Sequence, residues 1–376
     1  MKKFFCFLGF LILVSNSLFG AQKPIKVSLL TFDTAPQPHA LFGHSALRVQ
    51  NPNNISDKDI IYNYGMFDFN APNFVLKFIK GNLDYRLGKE SFKRSMKMYD
   101  LWNRQVWEQE LLLTQLQAKE LITHLETSYL PENRYYRYRF LSRNCSTEIR
   151  DLLLCNSFIT TDYTPLPTQR SYRDFLNTYT KTTPWTKFGI NLALGSTIDK
   201  KINSYELMFL PDFLSRELEK VTIDKQPLLT PKEKLLPPQP NFEVIATPIP
   251  LLVFSFLFVL LVWFPIPTLT NLFFSLIGLA GVVILSIQLL SQHPEVHWNY
   301  NLLFCNPLYL IYIFIIRKNK VHLKILFASI FNLSIIAIWG IWYAQIQGFE
   351  WSFVLISLSL FWLNCKQFHN ENFITK

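Results

Sequence analysis

The strongest chemical signal in the sequence is a cysteine that follows an asparagine at the start of a predicted helix. The segment Arg143–Thr147 reads RNCST, and asparagine is a common helix N-cap. This cap puts Cys145 in the first helical turn, where the helix dipole and free backbone N–H groups stabilise a thiolate. The same N–H groups could receive an oxyanion. The pattern predicts a nucleophile, with a merely buried cysteine as an equal alternative.

A nucleophilic thiolate needs a base, and the polar half of the chain offers His39, His44 and His124. His124 falls inside a predicted helix and His39 in a proline-flanked loop, so ordinary structural roles are expected for both. His44 lies in the sequence FGHSA, at a tight turn that enters a predicted strand. A strand-end histidine that faces a helix-start cysteine can activate the sulfur. We therefore predict His44 as the base, although a lone histidine can also be structural.

Strands and helices are mixed in the part of the chain that must position these two residues. Segments rich in β-branched and aromatic residues predict strands, and apolar residues at helical spacing predict helices. The predicted strands are Ile25–Thr31, Ser45–Val49, Ile60–Tyr64 and Tyr135–Leu141, and the predicted helices are Val106–Tyr129 and Ser146–Leu154. This mixture indicates an α+β domain, which we place at residues 22–224.

The first residues have the pattern of a secretory signal. Lys2 and Lys3 give a positive start, Phe4–Phe19 an apolar stretch and Gly20–Ala21 a small-residue exit. We predict a signal peptide at residues 1–21, with an uncleaved membrane anchor as the alternative. Either one delivers the α+β domain across a membrane.

Two cysteines, Cys145 and Cys155, lie in this exported domain. Their spacing on one helix corresponds to about 15 Å along the axis, which is too far for a disulfide. A free thiol in an oxidising compartment is either a buried apolar group or a working nucleophile.

A change of composition divides the chain after this domain. Residues 225–248 are proline-rich and predict a semi-extended linker. Residues 249–366 contain five apolar stretches, which predict a transmembrane bundle of about five helices: 249–264, 268–290, 302–316, 322–344 and 351–364. Basic residues cluster in the 317–324 loop, which the positive-inside rule places in the cytoplasm. We therefore predict a multi-pass protein of the cytoplasmic (inner) membrane, with the α+β domain and the loop 291–301 on its outer side.

The net charge of +10 could indicate nucleic acid as a partner. An exported membrane protein meets anionic lipid headgroups first, and its cytoplasmic loops collect basic residues for topological reasons. We therefore expect membrane lipid, and no nucleic acid, as a partner.

The chain has a histidine at a strand start and, later, an Asn-Cys pair at a helix start. In this order it resembles the circularly permuted papain-like hydrolases, whose relatives include NlpC-type peptidases and lecithin:retinol acyltransferase. More closely, the chain resembles the Lnb-type lipoprotein N-acyltransferases. The resemblance rests on the layout of an exported domain before a five-helix tail and on four segments: FGHSALRV (Phe42–Val49), YNYGMFDFNAPNF (Tyr62–Phe74), RNCSTEIRDLL (Arg143–Leu153) and HPEVHWNYNLLFCNPL (His293–Leu308).

This resemblance implies a papain-like fold and transfer of an acyl chain from a phospholipid to the N-terminal amine of a diacylglyceryl lipoprotein. It implies Cys145 as the nucleophile and His44 as the general base, with no soluble cofactor. Related enzymes orient the histidine with a third polar group on the following strand, where this sequence has Tyr62, Asn63 and Tyr64. Asn63 is the first choice, because its amide oxygen could accept from the ring, and a tyrosine is the alternative.

Several further residues are candidates for substrate binding. Asp68 could position an amine, or simply form a turn. Arg143 and Asn144 flank the cysteine, and Arg143 ends an alternation of arginines and tyrosines that could bind headgroup phosphate. Tyr64 is a further candidate for substrate binding, because it lies on the predicted strand that follows the His44 strand. In the outer loop we consider His293, Asn299 and Asn301 as contacts that cap an acyl-entry site, with a plain connecting loop as the alternative.

No metal is expected, although His293 and His297 have metal-like spacing, because Pro294 interrupts a regular helix and a third ligand is not evident. Two other functions stay open at this point. The same domain could be a hydrolase, acting on peptidoglycan or phospholipid, or the protein could be an envelope scaffold with an inert cysteine.

Overall fold

The computed structural model describes residues 23–372 except 36, 38–39, 55, 69, 238–247, 265 and 319. The predicted signal peptide and His39 lie outside these residues. The strands are β1 (Lys26–Phe32), β2 (His44–Gln50), β3 (Asp59–Met66), β4 (Asp84–Ser91), β5 (Val106–Glu110), β6 (Tyr135–Arg137), β7 (Pro167–Ser171), β8 (Lys201–Asn203), β9 (Thr222–Ile223), β10 (Gln226–Pro227) and β11 (Glu233–Leu236).

Seven strands form the main sheet of the N-terminal domain, in the order β11-β5-β1-β2-β3-β4-β6. Every neighbouring pair in this sheet is antiparallel. The short strands form two separate ribbons, β7 with β8 and β9 with β10. The site residues predicted on β2 and β3 therefore lie on adjacent strands at the centre of the sheet.

Eight helices accompany these strands in the described part of the N-terminal domain. They are α1 (Phe74–Lys80), α2 (Phe92–Leu101), α3 (Gln115–Tyr129), α4 (Cys145–Leu154), α5 (Tyr172–Tyr179), α6 (Pro184–Ala193), α7 (Ser204–Leu207) and α8 (Pro211–Leu218). The mixed sheet-and-helix domain predicted from the sequence is thus confirmed.

The alternation of side chains along β2 and β3 gives the sheet two buried faces. Leu47 and Tyr62 join the larger core, where α3 and α4 contribute leucines and isoleucine. Ala46 and Ile61, one residue earlier on each strand, join a smaller core beneath α2. Because α4 packs on the face opposite to α2, its first residue reaches the sheet at the ends of β2 and β3.

The predicted helix Val106–Tyr129 is wrong in its first part. Val106–Glu110 is the strand β5, which pairs with β1 on one side and β11 on the other. The helix begins at Gln115, after Thr114 has capped it by accepting from the N–H of Gln117. Apolar spacing is ambiguous over so short a segment, and pairing with distant strands decides the outcome.

The predicted linker starts later than the proline content indicates. Residues 226–236 form β10 and β11, and Leu228 and Leu229 are 0% and 5% exposed within the main core. Pro227 is tolerated in β10 because both strands of a two-stranded ribbon are edges, and Pro231 lies between β10 and β11. The second half of the predicted linker, residues 238–247, lies outside the described residues.

The C-terminal region is helical, as predicted, and its helices are α9 (Pro250–Trp263), α10 (Pro267–Leu290), α11 (Tyr309–Ile316), α12 (Val321–Tyr343) and α13 (Trp351–Asn372). By length and composition α10 and α12 can cross a membrane, with mean hydropathies of 2.4 and 2.0. The predicted stretch 302–316 becomes helical only at Tyr309, after a 3₁₀ turn at Tyr300–Leu303. Aromatic side chains fill the interior of this region, including Phe274, Phe304, Phe331 and Phe353.

The two halves of the chain are joined by polar contacts around residue 195. Nδ2 of Asn299 donates to the carbonyls of Leu192 and Ala193, at 2.8 Å and 3.0 Å. Nδ2 of Asn301 donates to the carbonyl of Asn191 at 2.9 Å. A Cβ added at Gly195 would lie 1.9 Å from the carbonyl oxygen of His297, so the two backbones are in direct contact there.

Candidate active site

Cys145 is the first residue of α4, and a capping box holds the helix start in place. Oδ1 of Asn144 accepts from the N–H groups of Ser146 and Thr147, at 2.8 Å and 2.9 Å. Oγ1 of Thr147 accepts from the N–H of Asn144 at 2.7 Å, which completes the box. The local sequence therefore fixes the start of α4 and, with it, the backbone position of Cys145.

His44 begins β2, and Asn63 lies beside it on β3. Oδ1 of Asn63 is 3.1 Å from Nε2 of His44. Nδ2 of Asn63 donates to Glu90 at 3.3 Å, and Glu90 also accepts from the hydroxyl of Ser95 at 2.9 Å. Because an ionised carboxylate can only accept, this bond turns the amide oxygen of Asn63 towards His44. Nε2 then carries the proton of the neutral ring, and Nδ1 is left for the sulfur.

The sulfur of Cys145 and the ring of His44 shift each other's protonation. Burial by itself would raise the pKa of the Cys145 thiol, but the charge and hydrogen bond of His44 outweigh it and hold that pKa below its usual range. Burial would likewise lower the pKa of His44, but the charge of Cys145 and the hydrogen bonds with Cys145 and Asn63 raise it. Both shifts favour a thiolate beside an imidazolium, which is the reactive form of cysteine.

The backbone of β3 passes close to the sulfur at a glycine. The pairing of β3 with β4 shifts between Asn63 and Met66, and Gly65 lies in this irregularity with φ +86°. A Cβ at Gly65 would be 3.8 Å from Cβ of Cys145, and the φ value itself disfavours other residues. The glycine therefore lets the strand approach the first turn of α4.

Tyr136 is a residue of this site that the sequence did not single out. A Cβ added at Gly65 would lie 3.9 Å from the hydroxyl of Tyr136 and 3.9 Å from the backbone nitrogen of Cys145, so both groups border the same glycine. The side chain is buried, and the hydroxyl makes no hydrogen bond of normal geometry to the described residues. In the sequence, Tyr136 is one of several tyrosines in the segment that alternates with arginines. The strand spacing does not distinguish it from the neighbouring tyrosines.

The outer loop of the C-terminal region reaches the segment that precedes Cys145. Oε1 of Glu295 accepts from the N–H of Leu141 at 3.4 Å, and Glu295 is 5% exposed. Tyr138 stacks on Tyr85 at 4.3 Å between ring centroids. Burial raises the pKa of Tyr138, and the charges of Cys145 and Glu295 raise it further. The sequence missed Tyr138 and Glu295, because this proximity depends on contacts between the two halves of the chain.

Tyr64 and Arg143 lie together, but beside the cysteine rather than in front of it. Tyr64 is buried and meets the ring of Tyr136 edge-on, with 6.4 Å between centroids. Arg143 pairs with Glu148 at 3.0 Å and lies over the ring of Tyr136. Both residues line a cleft of about 380 Å³ that Cys145 and His44 do not line.

Asp68 is an exposed turn residue, the simpler of its two predicted roles. Its Oδ1 accepts from the N–H of Asn70 at 2.8 Å, and its carbonyl accepts from Ala71 at 3.2 Å. This arrangement is a local turn after β3.

Asn144 has no free polar atom for a substrate. Besides its cap, its Nδ2 donates to the carbonyls of Phe140 and Phe209, at 2.7 Å and 2.9 Å. Asn144 is 3% exposed. The structure therefore gives it a positioning role, in which one amide ties α4 to the segment just before it and to the distant Phe209.

The outer-loop candidates also make contacts within the protein. Nε2 of His293 lies 3.1 Å from the carbonyl of Phe78. Asn299 and Asn301 are 3% and 0% exposed and hold the loop on the end of α6, as described above. Their side chains therefore dock the two halves of the chain instead of lining the space in front of Cys145.

The described residues include no group of three His, Cys, Asp or Glu side chains that could hold a metal ion. Cys145 and Cys155 are both free, as their spacing predicts. The site thus brings together a cysteine with a lowered pKa, a histidine and an asparagine, a set of groups that can support acyl transfer through a thioester.

Comparison with known families agrees with this layout. The family model for the Lnb N-terminal periplasmic domain matches residues 21–178, and the model for the Lnb transmembrane domain matches residues 242–369. No curated protein and no solved structure matches the chain. The two matching models describe the two halves of one kind of protein, in the same order, and together they cover most of the sequence. The chain therefore belongs to the Lnb family, as a membrane protein with a periplasmic N-terminal domain and an enzymatic role in lipoprotein maturation.

Proposed function

We propose that this protein is a lipoprotein N-acyltransferase of the cytoplasmic membrane. In the proposed reaction, an acyl chain leaves a phospholipid, forms a thioester on Cys145 and passes to the N-terminal amine of a diacylglyceryl lipoprotein. The observation that carries the proposal is the hydrogen-bonded series Cys145–His44–Asn63, in a domain tethered to the membrane that holds both substrates. No soluble cofactor is needed, because both half-reactions are acyl transfers.

In the first half-reaction, Sγ of Cys145 attacks the ester carbonyl of the phospholipid. The C–S bond forms, and the carbonyl electrons move to oxygen. The tetrahedral intermediate then collapses with cleavage of the C–O ester bond. The imidazolium of His44 gives its proton to the leaving alkoxide, so that a lysophospholipid departs and neutral His44 remains.

In the second half-reaction, the lipoprotein amine attacks the thioester carbonyl. Neutral His44 accepts a proton from the amine nitrogen as the C–N bond forms. The C–S bond breaks, and the sulfur leaves as the thiolate that the imidazolium stabilises. The amide product forms, and the resting pair of Cys145 and His44 is restored.

The oxyanion of both intermediates needs hydrogen-bond donors. The sequence led us to expect the first N–H groups of α4, but Asn144 already engages those of Ser146 and Thr147. The N–H of Cys145 is the first-turn donor that Asn144 does not use. The hydroxyl of Tyr136, which borders Gly65 as that N–H does, is the second donor we propose.

Intact-protein mass spectrometry tests this function. The full-length protein is incubated with phospholipid vesicles, with and without a diacylated lipopeptide. We expect an acyl adduct on Cys145 that hydroxylamine removes and that the lipopeptide discharges, with N-acylated lipopeptide as product. Cys155→Ser, at the other end of the same helix, should form the adduct normally, whereas Cys145→Ala should not. An adduct that decays equally fast without lipopeptide would identify a phospholipase, and an unreactive Cys145 would support a scaffold.

A further inference from the structure

The helix α1 has its apolar side turned away from the protein. Its sequence is FVLKFIK, and none of its residues is buried. Four large apolar side chains are exposed, with fractions of 66%, 52%, 46% and 36%: Val75, Leu76, Phe78 and Ile79. At about 100° per residue these four cover one continuous arc, and Lys77 and Lys80 cover the other side. Exposure of this apolar arc to water is unfavourable, and its burial at an apolar surface lowers the free energy.

The last turn of α1 is bound to the outer loop of the transmembrane domain. The carbonyl of Ile79 accepts from the hydroxyl of Ser291 at 2.6 Å. The carbonyl of Phe78 lies 3.1 Å from Nε2 of His293. The bond from Ser291 satisfies a carbonyl at the helix end, where intrahelical donors run out, and the carbonyl of Phe78 also accepts from the N–H of Gly81 at 3.0 Å. The contacts with Ser291 and His293 also fix the height of α1 relative to the transmembrane helices.

The helix α1 is thereby held level with the outer end of α10. The helix α10 ends at Leu290, directly before the loop that binds α1, and Leu289 and Leu290 are 72% and 59% exposed. A membrane-spanning helix leaves the hydrocarbon layer close to its last apolar residues. The exposed arc of α1 is thus continuous with the lipid-facing end of α10.

A row of aromatic rings leads from α1 to the candidate active site. Phe74 stacks on Phe67 at 5.6 Å between centroids, and Phe67 contacts Tyr85 at 5.1 Å. Tyr85 stacks on Tyr138 at 4.3 Å, and Tyr138 lies within the electrostatic reach of Cys145. Tyr85 is 6% exposed, so the row belongs to the packed core and joins α1 rigidly to the segment that precedes Cys145.

We propose that α1 is an interfacial helix, with Val75, Leu76, Phe78 and Ile79 inserted among the acyl chains of the outer leaflet of the cytoplasmic membrane. Lys77 and Lys80 then lie at the level of the headgroup phosphates, where a positive charge is favourable. The occupant of this surface is phospholipid, because the apolar arc continues the membrane-facing surface of α10. The insertion of α1 does not depend on the proposed function. Its role as the entry point of the acyl donor rests on that function.

Spin labels test the insertion without any need for catalysis. Val75→Cys and, as a matched control, Leu116→Cys are labelled in full-length protein that also carries Cys145→Ala and Cys155→Ser. Leu116 is an equally exposed apolar residue, at 68%, on α3. The proteins are placed in nanodiscs of phosphatidylethanolamine and phosphatidylglycerol, and signal from the parent without an added cysteine is subtracted. Power saturation then compares collisions with oxygen, which concentrates in lipid, and with a water-soluble nickel complex.

We expect the label at position 75 to collide several-fold less with nickel, and more with oxygen, than the label at position 116. Equal nickel accessibility at the two positions would overturn the proposal. A second arm measures acyl transfer in Val75→Glu and Leu116→Glu, with donor lipid in vesicles and with a soluble short-chain donor. Only Val75→Glu should lose turnover, and only with vesicles.

The two arms separate this proposal from the function on which it builds. Insertion of position 75 without acyl transfer from either donor would refute the acyltransferase and leave the interfacial helix standing. Efficient transfer from vesicles with position 75 in water would refute the helix and support the acyltransferase.

Discussion

His44 and Asn63 are joined by a 3.1 Å hydrogen bond between Nε2 and Oδ1. The two residues belong to paired antiparallel strands, and the register that aligns Leu47 with Tyr62 brings them together. The bond orients the imidazole ring, and it also sets which ring nitrogen faces the sulfur.

Asn63→Ala should therefore slow thioester formation by roughly 10²-fold, the scale expected when a reacting group is misplaced by about 1 Å. Stopped incubation with phospholipid and mass spectrometry of the Cys145 adduct gives the rate. Asn70→Ala, an exposed asparagine of the following turn, is the control and should act normally. An undiminished rate in Asn63→Ala would show that His44 needs no orienting partner.

The pH dependence of Cys145 alkylation should reveal the ion pair. Iodoacetamide reacts with the thiolate, and a lowered thiol pKa extends this reaction below the ordinary pKa of about 8.5. We expect the labelling rate of a Cys155→Ser protein to fall only when the pH drops through the lowered pKa of Cys145. In His44→Ala only burial and weaker hydrogen bonds remain, and the profile should move to higher pH.

Cys145 and His44 should also make the stability of the fold depend on pH. The lowered pKa of Cys145 gives a stability contribution that is complete above the ordinary thiol pKa and is lost as the pH falls through the lowered pKa. The raised pKa of His44 gives a contribution that is complete below the ordinary imidazole pKa and is lost as the pH rises through the raised pKa. The difference in melting temperature between the parent and His44→Ala should therefore change with pH over the range in which the two groups titrate. A difference that does not change with pH would argue against the ion pair.

Tyr136→Phe separates a role in chemistry from a role in packing. Removal of an oxyanion donor costs on the order of 10²–10³-fold in turnover. Apart from a contact with the backbone of Gly65, the buried hydroxyl makes no hydrogen bond of normal geometry among the described residues, so its loss should change the melting temperature little. We expect turnover to fall with little change in the KM for lipopeptide. Tyr135→Phe, the exposed neighbour, is the control. A lower melting temperature with normal turnover would assign Tyr136 to packing alone.

The capping box should contribute stability that can be measured by itself. Thr147→Ala removes the hydroxyl that accepts from the N–H of Asn144, and loss of a cap typically costs about 1 kcal/mol. Thr147→Ser keeps the hydroxyl and should restore most of the loss. Denaturation of the full-length protein, followed by circular dichroism, gives the comparison. Equal stability of the two variants would mean that the methyl group, and not the bond, matters at this position.

Two glycines test whether docking of the two halves is needed for activity. A Cβ at Gly195 would lie 1.9 Å from the carbonyl oxygen of His297, whereas a Cβ at Gly189 meets nothing within 4 Å. Gly195→Ala should displace the outer loop, increase proteolysis near residue 195 and reduce acyl transfer. Gly189→Ala adds a better helix former to α6 and should leave both properties intact. Normal activity in Gly195→Ala, with the loop displaced, would show that the docked arrangement is not required.

The sequence predicted the parts of the site that depend on neighbouring residues. A cap before Cys145 and a tight turn before His44 are local patterns, and Asn63 was the first choice among the residues that the family resemblance indicates on the following strand. Val106–Glu110 was misassigned because its strand partners lie far away in the chain. The same holds for Asn144, whose amide reaches Phe209, and for Asn299 and Asn301, whose partners lie on α6. The role of Tyr136 depends on the bulge at Gly65, which strand periodicity does not indicate.

The hydrogen bond between Leu141 and Glu295 joins residues that are 154 positions apart in the chain. Translation delivers Cys145 and its helix to the outside long before the loop that carries Glu295 has been made. During that interval the segment before the nucleophile lacks one of its supports. The segment that precedes Cys145 therefore reaches its final arrangement only once the transmembrane region is in place.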